Sequence, residues 1–174
     1  MTSDIVLFDG EKHSLGFDNV INANARNAVR ILDCDESNIR QAVEGKKADI
    51  ILVSDRNPKD SLHFRRAGFD EVICRLATKK GIAFAFSFSS ILNARDRALV
   101  MGRIMHAIRL CRKHKVMMCF ASFARNKWEM RAVEEMKAFA RMLGMTPDEA
   151  NNAVNSVEGI IESRKSVSGV RVLE

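Results

Sequence analysis

The chain has no tyrosine, a single tryptophan and only two prolines in its 174 residues. It also lacks any apolar run near the roughly 18 residues that a membrane-spanning helix needs. The opening residues carry no basic stretch ahead of an apolar one, so no signal peptide is predicted. Hydrophobic residues make up 47% and charged residues 29%, which is the balance of a globular protein. We therefore expect one domain over residues 1–174, located in the cytoplasm.

Signatures of enzyme chemistry are missing as well. The four cysteines are scattered, and no two of them form a C-x-x-C pair. They are predicted to be small buried side chains in a reducing compartment, not a disulfide framework or a zinc site. The four histidines are isolated, and neither a glycine-rich nucleotide cradle nor a G-x-S-x-G elbow occurs. We expect no catalytic residue, no metal and no cofactor.

Positive charge is concentrated in the second part of the chain. The net charge is +6, yet the residues up to Asp55 hold six Lys and Arg against ten Asp and Glu. Between Arg75 and Arg131 there are 13 basic residues and only two acidic ones, Asp96 and Glu129. Such a one-sided block repels itself unless an anion faces it. The pattern favours a polyanionic partner over a merely basic surface.

Short apolar runs alternate with helical patterns, which predicts an α/β fold with a mostly parallel sheet. Strands are predicted over residues 5–8, 29–33, 50–54, 71–73, 82–88 and 116–122. Helices are predicted over residues 37–45, 74–80, 95–115 and 129–143. Another helix is predicted to open at Thr146 and Pro147. The polar segment 163–169 is expected to fray or to form a last strand with residues 170–173.

The longest predicted helix, residues 95–115, has an apolar stripe and a basic side. The predicted buried stripe consists of Met101, Ile104, Met105, Ile108 and Cys111. The opposite side is predicted to carry Arg103, His106, Arg109 and Lys113. Cations crowd the last turn, where they also suit the helix dipole, so part of that cluster is expected to be structural.

Among polyanions, RNA fits the sequence better than duplex DNA. No helix-turn-helix, zinc finger or basic zipper pattern is present. The aromatic motif of an RRM and the GXXG loop of a KH domain are also missing. With no tyrosine and one tryptophan, Trp128, there is little material for stacking bases. The expected binding mode is contact of Arg and Lys with phosphates.

Two stretches, taken in order, resemble a known family. The first is GFDEVICRLA (68–77), followed by KKG (79–81), IAFAFSF (82–88) and SIL (90–92). The second is ASFARNKWEMR (121–131), followed by a helical pattern that ends in MLGM (142–145). Over roughly residues 27–155 the chain resembles the archaeal RNase P protein component 3, the homologue of the thirty-kilodalton subunit of the eukaryotic enzyme.

The resemblance implies a TIM-barrel-like α/β fold and a role in removing the 5′ leader from precursor tRNA. In this reaction RNA performs the cleavage and the proteins assist, so the chain alone is not expected to be catalytic. The implied partners are RNase P RNA and RNase P protein component 2, in a heterodimer or heterotetramer. Precursor tRNA is an indirect partner, and no membrane is involved.

The resemblance also places RNA contacts on matching residues of this chain. The best candidates are Arg125, Lys127 and Arg131, followed on the flanking elements by Arg75, Lys79 and Arg95. The family often has Ser-Gly where this chain has Ser122-Phe123, so a different loop shape is expected there. Family members are usually longer, so we expect a barrel that is shortened or incomplete at its N-terminus.

Two other functions stay open from the sequence. A barrel phosphoesterase that acts on a phosphorylated small molecule would also use basic charge near strand ends. The sequence lacks the His-x-His ligands of such an enzyme, and bound metal with turnover of a model phosphoester would favour it. A scaffold whose basic face binds an acidic protein is the other alternative, and partner capture that resists RNase would favour that.

Overall fold

The structure is a computed structural model that describes residues 2–9, 15–24, 29–54 and 67–169, with side chains described as far as residue 160. Its strands are β1 (Ser3–Val6), β2 (Asn19–Asn22), β3 (Ile31–Cys34), β4 (Ile50–Val53), β5 (Ala83–Ser87) and β6 (Met118–Ala121). Its helices are α1 (Ile39–Glu44), α2 (Glu71–Lys80), α3 (Phe88–Leu92), α4 (Arg97–His114), α5 (Val133–Met142) and α6 (Pro147–Gly169). A short 3-10 turn, Lys127–Glu129, lies between β6 and α5.

The strands pair in parallel and follow the circular order of a barrel. One sheet has the order β3–β4–β5–β6, and β1 pairs with β2 in a second. Past the end of β6, Phe123 N–H donates to the Ile5 carbonyl (2.7 Å) and Leu7 N–H donates to the Ala124 carbonyl (2.8 Å). The first strand is thereby joined to the last, and the combined order is β3–β4–β5–β6–β1–β2. The predicted TIM-barrel-like α/β class is confirmed, although β2 and β3 do not pair within the described ranges.

The outer face of the larger sheet packs against helices. Ile51, Phe84, Phe86 and Phe120 lie in one cluster with the buried residues of α1, α2, α4 and α5. These side chains alternate along their strands with those of the inner face, as the twofold repeat of a strand requires. Fully burying a phenylalanine contributes roughly 1.5–3 kcal/mol, so the three rings are a large part of the core.

The inner face is lined by small side chains and covered by part of α6. Ala83, Ala85, Cys119 and Ala121 lie in a second cluster with the larger Ile50, Leu52 and Ile5. Val157 and Ile160 of α6 lie in this cluster, whereas Ala150, Ala153 and Val154, nearer the start of the helix, pack in the outer cluster. A full barrel fills its interior with bulky side chains from the strands themselves. Here the small side chains of β5 and β6 leave space that the helix occupies.

A buried carboxylate holds β1 against the end of β6. Asp4 is fully buried and accepts hydrogen bonds from Ser122 N–H (2.7 Å), the Ser122 hydroxyl (2.6 Å) and Ile5 N–H (2.9 Å). Burial raises the pKa of Asp4 from its ordinary 3.8 to about 6, even though these three donors favour the ionised form. The joint between the two sheets therefore depends on one side chain whose charge is costly to bury.

Phe123, directly after this joint, has a φ of +45°. This left-handed conformation favours glycine and costs another residue on the order of 1–3 kcal/mol. The phenylalanine ring is 1% exposed in the inner cluster, and the backbone is held by the bond from Phe123 N–H to Ile5. Burial and strand pairing together thus hold a phenylalanine where a glycine would sit without strain.

Five of the predicted strands are confirmed, with ends that differ by one or two residues. The strand predicted over residues 71–73 is wrong, because those residues form the first turn of α2. The Asp70 carboxylate caps this helix by accepting the Ile73 N–H (2.9 Å), and Ile73, Cys74 and Ala77 are buried at helical spacing. Strand β2 is absent from the sequence-based prediction; it is a four-residue run bounded by asparagines, which are depleted in strands.

Other expectations are confirmed in part. All four cysteines are free and buried, as predicted. In α4, Ile108 and Cys111 are buried, but Arg103, predicted on the solvent side, is buried as well. The segment 163–169 belongs to α6 and is neither frayed nor a strand, and residues 170–173 lie outside the described ranges. In the part of the chain that the structure describes, no helix is long and apolar enough to cross a bilayer.

We predict that Asp4→Asn raises the free energy of unfolding at neutral pH and removes part of its pH dependence. The folded state binds the Asp4 proton more tightly than the unfolded state, so the wild type loses stability as the pH rises from about 4 to about 6. Two pKa units correspond to about 3 kcal/mol. An asparagine accepts the same N–H groups without carrying a charge.

Urea unfolding at about pH 4 and about pH 7 measures this effect. The difference between Asp4→Asn and the wild type should grow with pH. Asp4→Ala is the control: it removes the acceptor of the buried Ser122 N–H and should be destabilised at both values. Equal pH slopes for Asp4→Asn and the wild type would show that Asp4 does not titrate in this range.

Candidate nucleic-acid interface

The candidate interface lies at the carboxyl edge of β5 and β6. Two segments leave the sheet there: residues 88–96, which contain α3, and residues 122–132, which contain the 3-10 turn. Sheets of parallel strands commonly bind ligands at this edge, because the loops that follow neighbouring strands converge there. The two stretches that carry the family resemblance, residues 68–92 and 121–145, overlap both segments.

Glu129 ties the two segments together. Its side chain is buried (8% exposed), and its Oε2 accepts from the Ser89 hydroxyl (2.5 Å) and from Arg125 N–H (2.9 Å). Its Oε1 accepts from the carboxamides of Asn93 (3.0 Å) and Asn126 (3.4 Å). Two donors come from the first segment and two from the second, so one carboxylate fixes their relative position.

The Glu129 carboxylate is kept ionised by these donors. Burial alone would raise its pKa, but the hydrogen bonds from Ser89, Arg125 N–H and Asn93 outweigh burial and lower the pKa below its ordinary value. A negative charge therefore lies beneath a loop whose exposed charged side chains, Arg125 and Lys127, are positive. Because the charge is satisfied by fixed donors, it stiffens the loop and does not neutralise the exposed cations by direct ion pairing.

The turn itself presents two cations and an indole to solvent. The Asn126 side-chain oxygen accepts Trp128 N–H (3.0 Å) and so caps the 3-10 turn. Arg125, Lys127 and Trp128 are exposed, and 78% of the tryptophan surface is accessible. The Lys127 ammonium lies 5.1 Å from the centroid of the indole, within the range of a cation–π interaction.

Arg131 has a different environment from Arg125 and Lys127. It is half-buried, and its Nη1 donates to the carbonyls of Trp128 (2.9 Å) and Met130 (2.7 Å). Its guanidinium carbon also lies 5.2 Å from the centroid of the Phe88 ring, at the start of α3. Arg131 therefore holds the turn in place through backbone carbonyls, and part of its charge still faces solvent.

The remaining candidates lie at two different ends of the fold. Arg95 is exposed two residues after Asn93, so it lies at the same edge as the turn. Arg75 and Lys79 are exposed on α2, and this helix ends at Gly81, directly before β5 begins. Lys79 thus lies toward the amino edge of the sheet. The structure brings together four of the six predicted residues and separates Arg75 and Lys79 from them.

The basic end of α4 is largely engaged within the protein. Arg112 forms an ion pair with Glu149 (2.6 Å) and donates to the Gly144 carbonyl (2.6 Å). Lys113 forms an ion pair with Glu71 (2.6 Å). These contacts connect α4 to α2 and to the start of α6, in agreement with the expectation that part of this cluster is structural.

Sequence reasoning missed the residues that hold the loop and the exposed indole. Ser89, Asn93 and Glu129 were not predicted as part of the site. Trp128 was noted, but a single tryptophan was judged to give little material for stacking bases. One signal was available: Glu129 is the only acidic residue between Arg97 and Arg131. Among the described side chains, no group of three or more His, Cys, Asp or Glu is arranged to hold a metal ion.

Comparison with known proteins finds consistent similarities. The family described as RNase P subunit p30 matches residues 14–167. The Ribonuclease P protein component 3 of Thermococcus kodakarensis is 31% identical over 90 residues, which cover 51% of this chain and 41% of that protein. The protein of the same name from Methanococcoides burtonii is 31% identical over 145 residues, which cover 80% and 57%. The chain thus spans about half the length of these curated relatives.

A solved structure shares the fold. A chain in the cryo-EM structure of archaeal Ribonuclease P with mature tRNA superimposes with a TM-score of 0.72 and 18% sequence identity. The match covers 96% of this chain and 84% of that chain. The fold of this chain is therefore also present in a solved structure.

We predict that Glu129→Ala lowers the free energy of unfolding by about 2–4 kcal/mol, because it leaves several buried donors without an acceptor. Glu129→Gln should lose less. The difference in the free energy of unfolding between Glu129→Gln and the wild type should shrink as the pH falls below about 4.5. The reason is that the wild type loses the stabilisation from its ionised carboxylate as the pH falls through the lowered pKa of Glu129.

Urea unfolding at several pH values measures these changes. Glu134→Gln, which alters an exposed glutamate of α5, is the matched control and should stay within about 0.5 kcal/mol of the wild type. A Glu129→Ala variant as stable as this control would show that the carboxylate does not hold the two segments together.

Proposed function

This chain belongs to the RNase P subunit p30 family, and we propose that it is an RNA-binding subunit of RNase P that assists RNA-catalysed removal of the 5′ leader from precursor tRNA. The observation that carries the proposal is the exposed cationic turn 125–131 at the carboxyl edge of the sheet. Its partners in this proposal are RNase P RNA and RNase P protein component 2, and precursor tRNA is engaged indirectly.

Arg125 and Lys127 are suited to contact phosphates. Both side chains are exposed, and neither forms an ion pair with another described residue. A cation that is already paired with a carboxylate would have to break that pair before it binds RNA, as Arg112 and Lys113 would. Free cations on a fixed turn avoid this cost and release counterions when they meet a polyanion.

The turn is held in one conformation before RNA arrives. Glu129 accepts hydrogen bonds from both segments of the edge, and the Asn126 side chain caps the turn. The Arg131 guanidinium donates to the Trp128 carbonyl. Ordering a flexible loop on binding would reduce affinity, so this arrangement favours the bound state. Arg95 extends the positive surface along the same edge, whereas Arg75 and Lys79 would need a second RNA contact to take part.

Reconstitution tests the proposal directly. RNase P RNA, precursor tRNA and component 2 are combined at moderate magnesium with and without this chain, and 5′ leader removal is measured. We expect this chain to stimulate cleavage, and the cleavage should disappear when the catalytic RNA is omitted. A folded chain that gives no stimulation would contradict the proposal, and turnover of a model phosphoester would then support the barrel-enzyme alternative.

We predict that Arg125→Ala and Lys127→Ala each weaken RNA binding and leave the fold intact. Each loss of a phosphate contact should reduce the slope of log affinity against log salt by about 0.7–0.9. Arg131→Ala should weaken binding and also lower the free energy of unfolding, because its guanidinium supports two carbonyls. Binding to labelled RNase P RNA at several salt concentrations provides the measurement.

Arg109→Ala is the matched control, since it removes an exposed arginine from α4 away from the turn. Its affinity and salt slope should stay near those of the wild type. If the combined Arg125→Ala, Lys127→Ala and Arg131→Ala variant binds RNA with wild-type affinity and slope, the RNA contact surface lies elsewhere.

A further inference from the structure

Trp128 is unusual for the degree to which its side chain is exposed. It is the only tryptophan of the chain, and with 78% of its surface accessible it is the most exposed large apolar side chain that the structure describes. No packing within the described residues accounts for an indole in this position. Tryptophan is enriched where proteins bind other molecules, so an indole held exposed on a fixed turn is a candidate contact for a ligand.

The indole is presented by a rigid piece of backbone. Trp128 N–H donates to the Asn126 side chain, and the Trp128 carbonyl accepts from Arg131. The next residue, Glu129, is anchored in the buried network described above. The ring therefore projects from a turn whose position is already set, which limits the entropy that a stacking partner would have to overcome.

We propose that Trp128 stacks on an unpaired base of the bound RNA, while Arg125 and Lys127 contact the phosphates beside that base. The inference rests on the proposed function and adds a contact of a different chemical kind. Every base has a π-face, so stacking on tryptophan tolerates any sequence. RNA-binding proteins use such stacking on single-stranded loops and bulges, where bases are free to leave the helix.

The surroundings favour RNA over a protein as the occupant. Residues 125–127 directly before the tryptophan are all exposed, and two of the three are cations. A protein interface usually surrounds an anchoring tryptophan with further apolar contacts. The two half-exposed methionines among the described residues, Met117 and Met142, lie at the opposite edge, where β6 begins and α5 ends. They cannot form one patch with Trp128.

The chain carries its own probe for this contact. Because Trp128 is the only tryptophan and tyrosine is absent, intrinsic tryptophan fluorescence reports on this one side chain. We expect titration of the full chain with single-stranded oligouridylate or oligoadenylate to quench the emission and to protect the indole from iodide. Heparin, a polyanion without bases, should bind the cations without producing the same quenching.

Two substitutions separate stacking from electrostatic attraction. Trp128→Leu should weaken binding to RNase P RNA roughly ten-fold with an unchanged salt slope. Trp128→Phe keeps an aromatic face and should lose less. Met117→Ala, at the opposite edge, is the control and should bind like the wild type. Urea unfolding of each variant checks that the fold is retained, as the exposed position of Trp128 predicts.

The outcomes distinguish the two proposals. RNA binding without quenching, together with full affinity of Trp128→Leu, would overturn the stacking inference and leave the proposed function in place. Failure of the wild-type chain to bind any RNA would overturn both. Emission that changes when RNase P protein component 2 is added, but not when RNA is added, would identify the indole as a protein contact and overturn stacking.

Discussion

The contact between Asp4 and Ser122 is the interaction on which the rest of the structure depends. It joins residues 118 positions apart in the sequence and fixes β1 against the chain that leaves β6. The same contact directs the backbone through the left-handed Phe123 and into the turn that begins at Arg125. Without it, only the backbone hydrogen bonds of Ile5 and Leu7 would hold β1 beside the end of β6, and the proposed RNA-binding turn would lose one of its two supports.

The second support is an anion placed beneath a cationic surface. Residues 75–131 contain 13 basic side chains and two acidic ones, and Glu129 is the acidic one that the fold buries. Its four donors come from backbone and neutral side chains, so Arg125 and Lys127 remain exposed to meet phosphates. Attraction for a polyanion and rigidity of the turn are thereby supplied by different residues. Arg131 lies between these roles, since its guanidinium binds carbonyls and stays partly accessible.

The described residues contain six strands of the barrel-like fold, and α6 covers part of their inner face. Alanine and cysteine side chains on β5 and β6 would leave a void if only strands lined the interior, and voids in a core are destabilising. Val157 and Ile160 occupy that space, while residues 150–154 of the same helix pack in the outer cluster. At the amino edge, Arg112 and Lys113 form ion pairs that connect helices. At the carboxyl edge, Arg125 and Lys127 form no ion pair with another described residue.

The sequence by itself determined the features that depend on composition and short-range periodicity: the α/β alternation, five strands, the burial of the cysteines, the segregation of charge and the family resemblance. Even there, local signals misled where a helix cap, Asp70, preceded apolar residues that resembled a strand. Only the tertiary structure decided that Arg95 lies beside the turn and Lys79 does not, that Glu129 is buried, and that α6 reaches the inner face. These features depend on contacts between segments far apart in the chain, such as Asp4 with Ser122 and Ser89 with Glu129, and the order of residues within either segment does not encode them.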